Sequence, residues 1–203
     1  AIEAARPWGS VQVLGISVGA GPAVLAAADP RVAAGVGVVL SVGGYASTVE
    51  LLRYFLTGTY RYGAVVGRGA PDPLAVSVFL RANADLLDDA ALRLVANRDP
   101  ARVEALVRNL SPGLRQLLDT LSPERVIGQL RGRLLLVHGK DDPAVPFTES
   151  MRLAEAARGR VPTRLVLLRM IGHVEPGGMS SRAWRTAGEL WALWALVYEF
   201  LDA

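Results

Sequence analysis

Short apolar runs, each about one buried strand long, alternate along this chain with longer stretches at helical spacing. No other feature of the sequence limits the fold as strongly. Val11-Gln12-Val13-Leu14, the valine-rich Val32–Leu40, Arg133–Val137 and Thr163–Arg169 read as four strands. Leu134-Leu135-Leu136-Val137 is apolar without a break. A strand of that kind must be covered on both faces, which points to a parallel sheet. Small and apolar residues from Val18 to Ala28 suit a closely packed helix that stops before Asp29-Pro30. Phe147–Arg158 and the long Ser180–Leu201, with Trp184, Trp191 and Trp194, read as two more helices. Ala1–Ala5 reads as the last turn of another, stopped by Pro7 and Gly9. The expected class is α/β, a mostly parallel sheet with helices on both faces.

The alternation is broken between the second and third strands. From 45 to 129 apolar residues recur at helical spacing, as in Leu51, Leu52, Phe55 and Leu56, then Val78, Leu80, Leu86 and Leu87, then Val103, Leu106, Val107 and Leu110. Gly58, Gly63, Gly67, Gly69, Pro71 and Pro73 predict a mobile loop near 57–73. The expectation is four or five short helices forming an insertion over 45–129, with 1–44 and 130–203 as the core.

The first strand leads into Gly15-Ile16-Ser17-Val18-Gly19, a G-x-S-x-G motif lying between a strand and a helix. A serine on such a turn takes a strained backbone conformation, and small neighbours relieve the crowding. Gly15, Gly19, Ala20 and Gly21 are expected to supply that space. The helix that follows aims its N–H groups and positive end at the serine, which favours charge on a reacting oxygen. Serine needs a base to act as a nucleophile. The chain has two histidines, His138 and His173, and no cysteine. Thiolate chemistry, disulfides and histidine-rich metal clusters are thereby excluded. An order of serine, acid, histidine, with the acid after one strand and the histidine after the next, selects Ser17, Asp142 and His173. All three then sit at the carboxyl ends of strands, where open α/β sheets place their sites. Asp141 reads as a solvated turn residue and His138 as a packing residue at a strand end.

With these residues in place the sequence resembles the α/β-hydrolases. His138, Gly139, Asp142, Val145 and Pro146 match an H-G-x-x-D-x-x-V-P segment that often carries the acid there. The resemblance implies a serine hydrolase of carboxylesterase type, with Val18 giving one oxyanion N–H and no cofactor. It implies that 45–129 is a helical cap over a small-molecule acyl substrate. Leu51, Phe55, Tyr60, Tyr62 and Val145 are the expected contacts. It also implies that these strands are the fifth to eighth of the family's sheet. The first half of that fold would then come from an upstream amino-terminal segment or a second chain, pairing beside Val11–Leu14. The alternative is a non-catalytic hydrolase-like binding module, or an inactive fragment.

Charge argues against a nucleic-acid partner. The net charge is +3, and all but one of the 22 basic residues are arginines scattered along the chain. With 51% hydrophobic and 20% charged residues the composition is that of a globular protein. No stretch is long enough for a membrane span. A soluble, cytoplasmic protein is the expectation, though the compartment is not determined.

Overall fold

The computed structural model describes residues 2–5, 9–71, 73–74, 77, 81, 85, 87–169 and 180–202. His173 and most of the expected helix around Val78 and Leu80 lie outside the described residues.

Four strands, β1 (Val11–Ile16), β2 (Val36–Val42), β5 (Arg133–Gly139) and β6 (Thr163–Leu168), form a sheet in the order β1-β2-β5-β6. Every pairing in it is parallel. β3 (Thr59–Tyr62) and β4 (Val65–Arg68) make a separate antiparallel pair. The described helices are α1 (Ile2–Ala5), α2 (Ala20–Ala27), α3 (Thr48–Thr57), α4 (Asp89–Ala96), α5 (Val103–Arg108), α6 (Pro112–Thr120), α7 (Thr148–Ala157) and α8 (Ser180–Leu201).

Helices cover both faces of β2 and β5, and most residues of these two strands are apolar. On one face Val39, Leu134 and Leu136 pack with Val24 and Ala27 of α2 and Leu153 and Ala157 of α7. On the other, Val38, Leu40, Leu135, Val137 and Leu168 pack with Leu196 of α8. Glu199 of α8 pairs with Arg133 on β5 and Arg164 on β6. Leu14 and Ile16 share that second face, in register with Leu40 and Val42. They remain 51% and 61% exposed. β1 is an edge strand, and α8 leaves its face open. α8 also carries an exposed apolar stripe in which Trp191 stacks on Trp194 at 5.3 Å and Trp194 on Tyr198 at 5.6 Å. The stripe ends at Leu201, whose carbonyl accepts from Gln12 Nε2 on β1 at 3.4 Å. No helix among the described residues is long and apolar enough to cross a membrane.

Two expectations need correction. β2 begins at Val36, not Val32, because Asp29 organises the chain before it. The Asp29 carbonyl accepts from Val32 N and Ala33 N, and its carboxylate accepts from Arg31 N. That turn leads into a 3-10 turn at Ala33–Gly35 and uses up the first valine of the run. The second correction is the glycine-rich span near 57–73, which holds the β3–β4 hairpin. Gly58 ends α3 at φ +67, and Gly63 turns the hairpin at φ +56. Gly67 gives the Tyr60 ring its place, since a Cβ there would lie 2.3 Å from the ring. These glycines are turn and packing positions of regular structure.

Candidate active site

Ser17 lies just beyond the end of β1 and has φ +54, the only positive φ of a non-glycine residue among the described residues. A left-handed conformation at such a residue costs on the order of 1–3 kcal/mol and persists only where the surroundings impose it. Here they do. A Cβ on Gly15 would come within 2.5 Å of Ala20 Cα and 2.7 Å of Ala23 Cβ. A Cβ on Gly44 would lie 2.6 Å from Ala20 Cβ, and one on Gly21 would enter the Tyr45 ring. Strand and helix therefore meet too closely for anything but a sharp turn. Gly19 differs from expectation: a Cβ there meets nothing within 4 Å. The crowding lies on the sheet side of the turn only. Val18 is 54% exposed at the start of the helical segment.

Because the four strands are parallel and adjacent, the ends of β1, β2 and β5 open onto one edge. The Ser17 turn, Gly43 and the Asp142 loop are brought together there. At roughly 4.8 Å per strand, the ends of β1 and β5 stand about 10 Å apart. Asp142 Oδ1 accepts from Ala144 N at 2.8 Å and Val145 N at 3.0 Å, which fixes the carboxylate. Its other oxygen is 3.6 Å from His138 Nε2, and would lie 3.1 Å from a Cβ on Gly43. Gly43 has φ +62, and its N–H donates to Val137 O. Tyr54 closes the loop from above, donating to Pro143 O at 3.0 Å. Burial, with Asp142 nearby, pushes its phenol up to about 12. Asp141 is exposed, beside a half-buried Asp142.

His138 is only 1% exposed, and both ring nitrogens are engaged. Nε2 faces the Val145 carbonyl at 2.8 Å, so Nε2 carries the proton and donates. Nδ1 of the neutral ring then accepts from Ser150 Oγ at 2.7 Å. Burial holds its pKa below the usual histidine value, partly offset by Val145 and Asp142. The ring ties β5, the Asp142 loop and α7 together. β6 ends at Leu168, on the strand adjacent to β5, and its carbonyl accepts from Lys140 N.

A cavity of about 250 Å³ is lined by Val18 and by residues of α3, α4 and α6. Leu51 and Phe55 line it, together with Leu94 and Leu117. The other expected contacts stand elsewhere. Tyr60 packs on Tyr54 and Phe147. Tyr62 lies under the Arg152 guanidinium at 5.1 Å. Val145 is buried against Tyr45, Leu51 and Phe55.

Glu149 was not singled out by sequence. Its buried carboxylate accepts from Ala46 N at 3.1 Å and Ser47 N at 2.8 Å, where the chain leaves β2 for α3. Burial raises its pKa, opposed by those N–H groups and Arg152. The legible signal was faint, a single acid among polar residues at the start of an amphipathic helix.

No family model matches the chain, and no curated protein matches it. Solved structures do. An acylaminoacyl peptidase in complex with Z-Gly-Gly-Phe-chloromethyl ketone matches at a TM-score of 0.52 and 15% identity, over 99% of this chain and 25% of that one. A puromycin hydrolase matches at 0.52 and 16%, over 86% of this chain and 21% of that one. The fold is that of the α/β-hydrolases. A meta-cleavage product hydrolase from Pseudomonas fluorescens IP01 is similar at 0.46 and 20%, over 99% of this chain and 68% of that one. The chain thus spans between a fifth and a quarter of the two longer hydrolases it resembles. Within the α/β-hydrolase sheet, Ser17 and Asp142 occupy the carboxyl ends of β1 and β5.

Proposed function

We propose that the protein is a serine hydrolase that cleaves a carboxylic ester or related acyl bond through an acyl-enzyme on Ser17. The observation that carries this reading is the strained backbone of Ser17 at the end of a parallel strand, with Gly15 packed against the following helix. A conformation that costs free energy at a hydroxyl-bearing residue is the expected mark of a presented nucleophile. The fold and the anchored Asp142 support it.

In this reading Ser17 Oγ attacks the carbonyl carbon, and His173 takes the hydroxyl proton. The Val18 N–H, at the positive end of the helical segment, donates to the oxyanion. The tetrahedral intermediate collapses, and His173 returns the proton to the leaving alcohol. Water repeats the sequence to release the acid. Asp142 orients the imidazole and stabilises its charged form. The segment 45–129 serves as the cap over a small-molecule acyl substrate. A further strand, from an upstream segment or a second chain, pairs on the open edge of β1, and the connection it brings covers the face that carries Leu14 and Ile16. An unprotected apolar edge of this kind calls for such a partner.

Labelling with an organophosphonate tests the reading. Ser17→Ala should abolish labelling while leaving the circular dichroism spectrum unchanged. Label mapped to another serine, or retained in the variant, would overturn it.

A further inference from the structure

The cavity beside Val18 is lined, among the described residues, by fifteen side chains, none of them charged. Its polar members are the neutral hydroxyls of Thr48, whose Oγ1 already donates to Leu118 O at 2.6 Å, and Tyr45. A charged ligand, or one with several polar groups, would leave most of those groups unsatisfied there. Leu114, Leu117 and Leu118 make an apolar stripe on α6 at helical spacing. The stripe lines the cavity, while Leu114 and Leu118 also pack against the cluster of Leu56, Ala91, Leu94, Val103 and Leu110.

Volume sets the ligand's size. A dry cavity of about 150 Å³ holds benzene, so by proportion 250 Å³ takes about ten carbons. We propose that this cavity binds the hydrocarbon acyl tail of the substrate, and selects a medium-length tail of about eight to ten carbons. That the tail belongs to the substrate rests on the Ser17 reading, because Val18, which lines the cavity, adjoins Ser17. The binding of the tail itself does not depend on that reading. Each methylene entering the cavity should tighten binding about three- to fourfold, the equivalent of about 0.8 kcal/mol. The gain should stop when the cavity is full.

The test uses Ser17→Ala protein and a series of linear fatty acids from butanoate to hexadecanoate, with binding followed by calorimetry. Affinity should climb up to eight to ten carbons and then level or fall. Leu117→Trp and, separately, Leu121→Trp should move the break to shorter chains. Both sites are incompletely buried, so at least one variant should fold. In the unsubstituted protein, p-nitrophenyl esters should show the same break in kcat/KM. A flat binding series, a rise that continues to hexadecanoate, or a break that neither tryptophan moves overturns the proposal. Turnover that tracks the alcohol chain of alkyl acetates instead of the acyl chain also overturns it. A binding break with no ester turnover and no phosphonate labelling upholds the cavity assignment and sinks the nucleophile.

Discussion

Single residues at this site are held by contacts only one side-chain size can make. Gly15→Ala would place a methyl 2.5 Å from the Ala20 backbone, which cannot move without shifting α2. We expect a loss of about 1–3 kcal/mol in stability, as for overpacked cores, and a disproportionate loss of Ser17 labelling. Urea unfolding together with labelling would show both. Gly19→Ala, with open space around its Cβ, should leave stability within about 0.5 kcal/mol. His138 makes a prediction about pH. Its folded pKa lies below the unfolded value of 6.5, so between the two the unfolded chain binds a proton that the folded chain does not. Stability therefore rises with pH across that window and is lost as pH falls through it. The urea midpoint should drop from pH 7.5 to pH 5.5 in the protein more steeply than in His138→Gln. Equal slopes would show that this ring does not couple folding to pH.

Among elements, the joint between β2 and α3 draws two of its backbone hydrogen bonds from a single side chain. Glu149 reaches from α7 to the backbone N–H groups of Ala46 and Ser47, and Ser47 caps α3 by accepting from Glu50 N. Glu149→Ala would strand two buried donors, which costs on the order of 2–4 kcal/mol. Glu149→Gln keeps an acceptor and should cost less. Limited proteolysis should cut within 45–129 faster in Glu149→Ala, with 130–203 protected. Cleavage unchanged from the parent would mean that the joint is held by packing alone. The hairpin inside this segment shows why elements were unevenly legible. α3 and α4 announce themselves through caps and helical spacing. The strands of the hairpin are four residues each, and their glycines mimic a loop.

At the scale of the molecule, the open side of β1 governs behaviour. β1 carries no charge or proline to discourage pairing. Leu14 and Ile16 lie exposed near a helix whose outer stripe holds stacked Trp191, Trp194 and Tyr198. Residues 1–203 made alone should therefore associate. Sedimentation velocity should find them larger than a monomer, and Leu14→Lys with Ile16→Glu should shift them toward one. A strand that pairs on the open edge of β1, whether from the same chain or a separate one, should reduce association. A monodisperse monomer would mean that the edge is covered in another way.

Local pattern was sufficient for most of the sheet, because a strand buried on both faces is predominantly apolar, and a serine among small residues between a strand and a helix suits a sharp turn. The sequence alone therefore determined the α/β class, the turn at Ser17 and the Asp142 loop. Distant contacts decided the rest. Whether an apolar side chain lines a cavity, as Leu51 and Phe55 do, or packs against its neighbours, as Tyr60 does, depends on where the helices of 45–129 cross. The role of Glu149 depends on a backbone some hundred positions away in the chain. Side-chain chemistry is written locally, but burial is a property of the assembled surfaces, and only the tertiary structure assembles them.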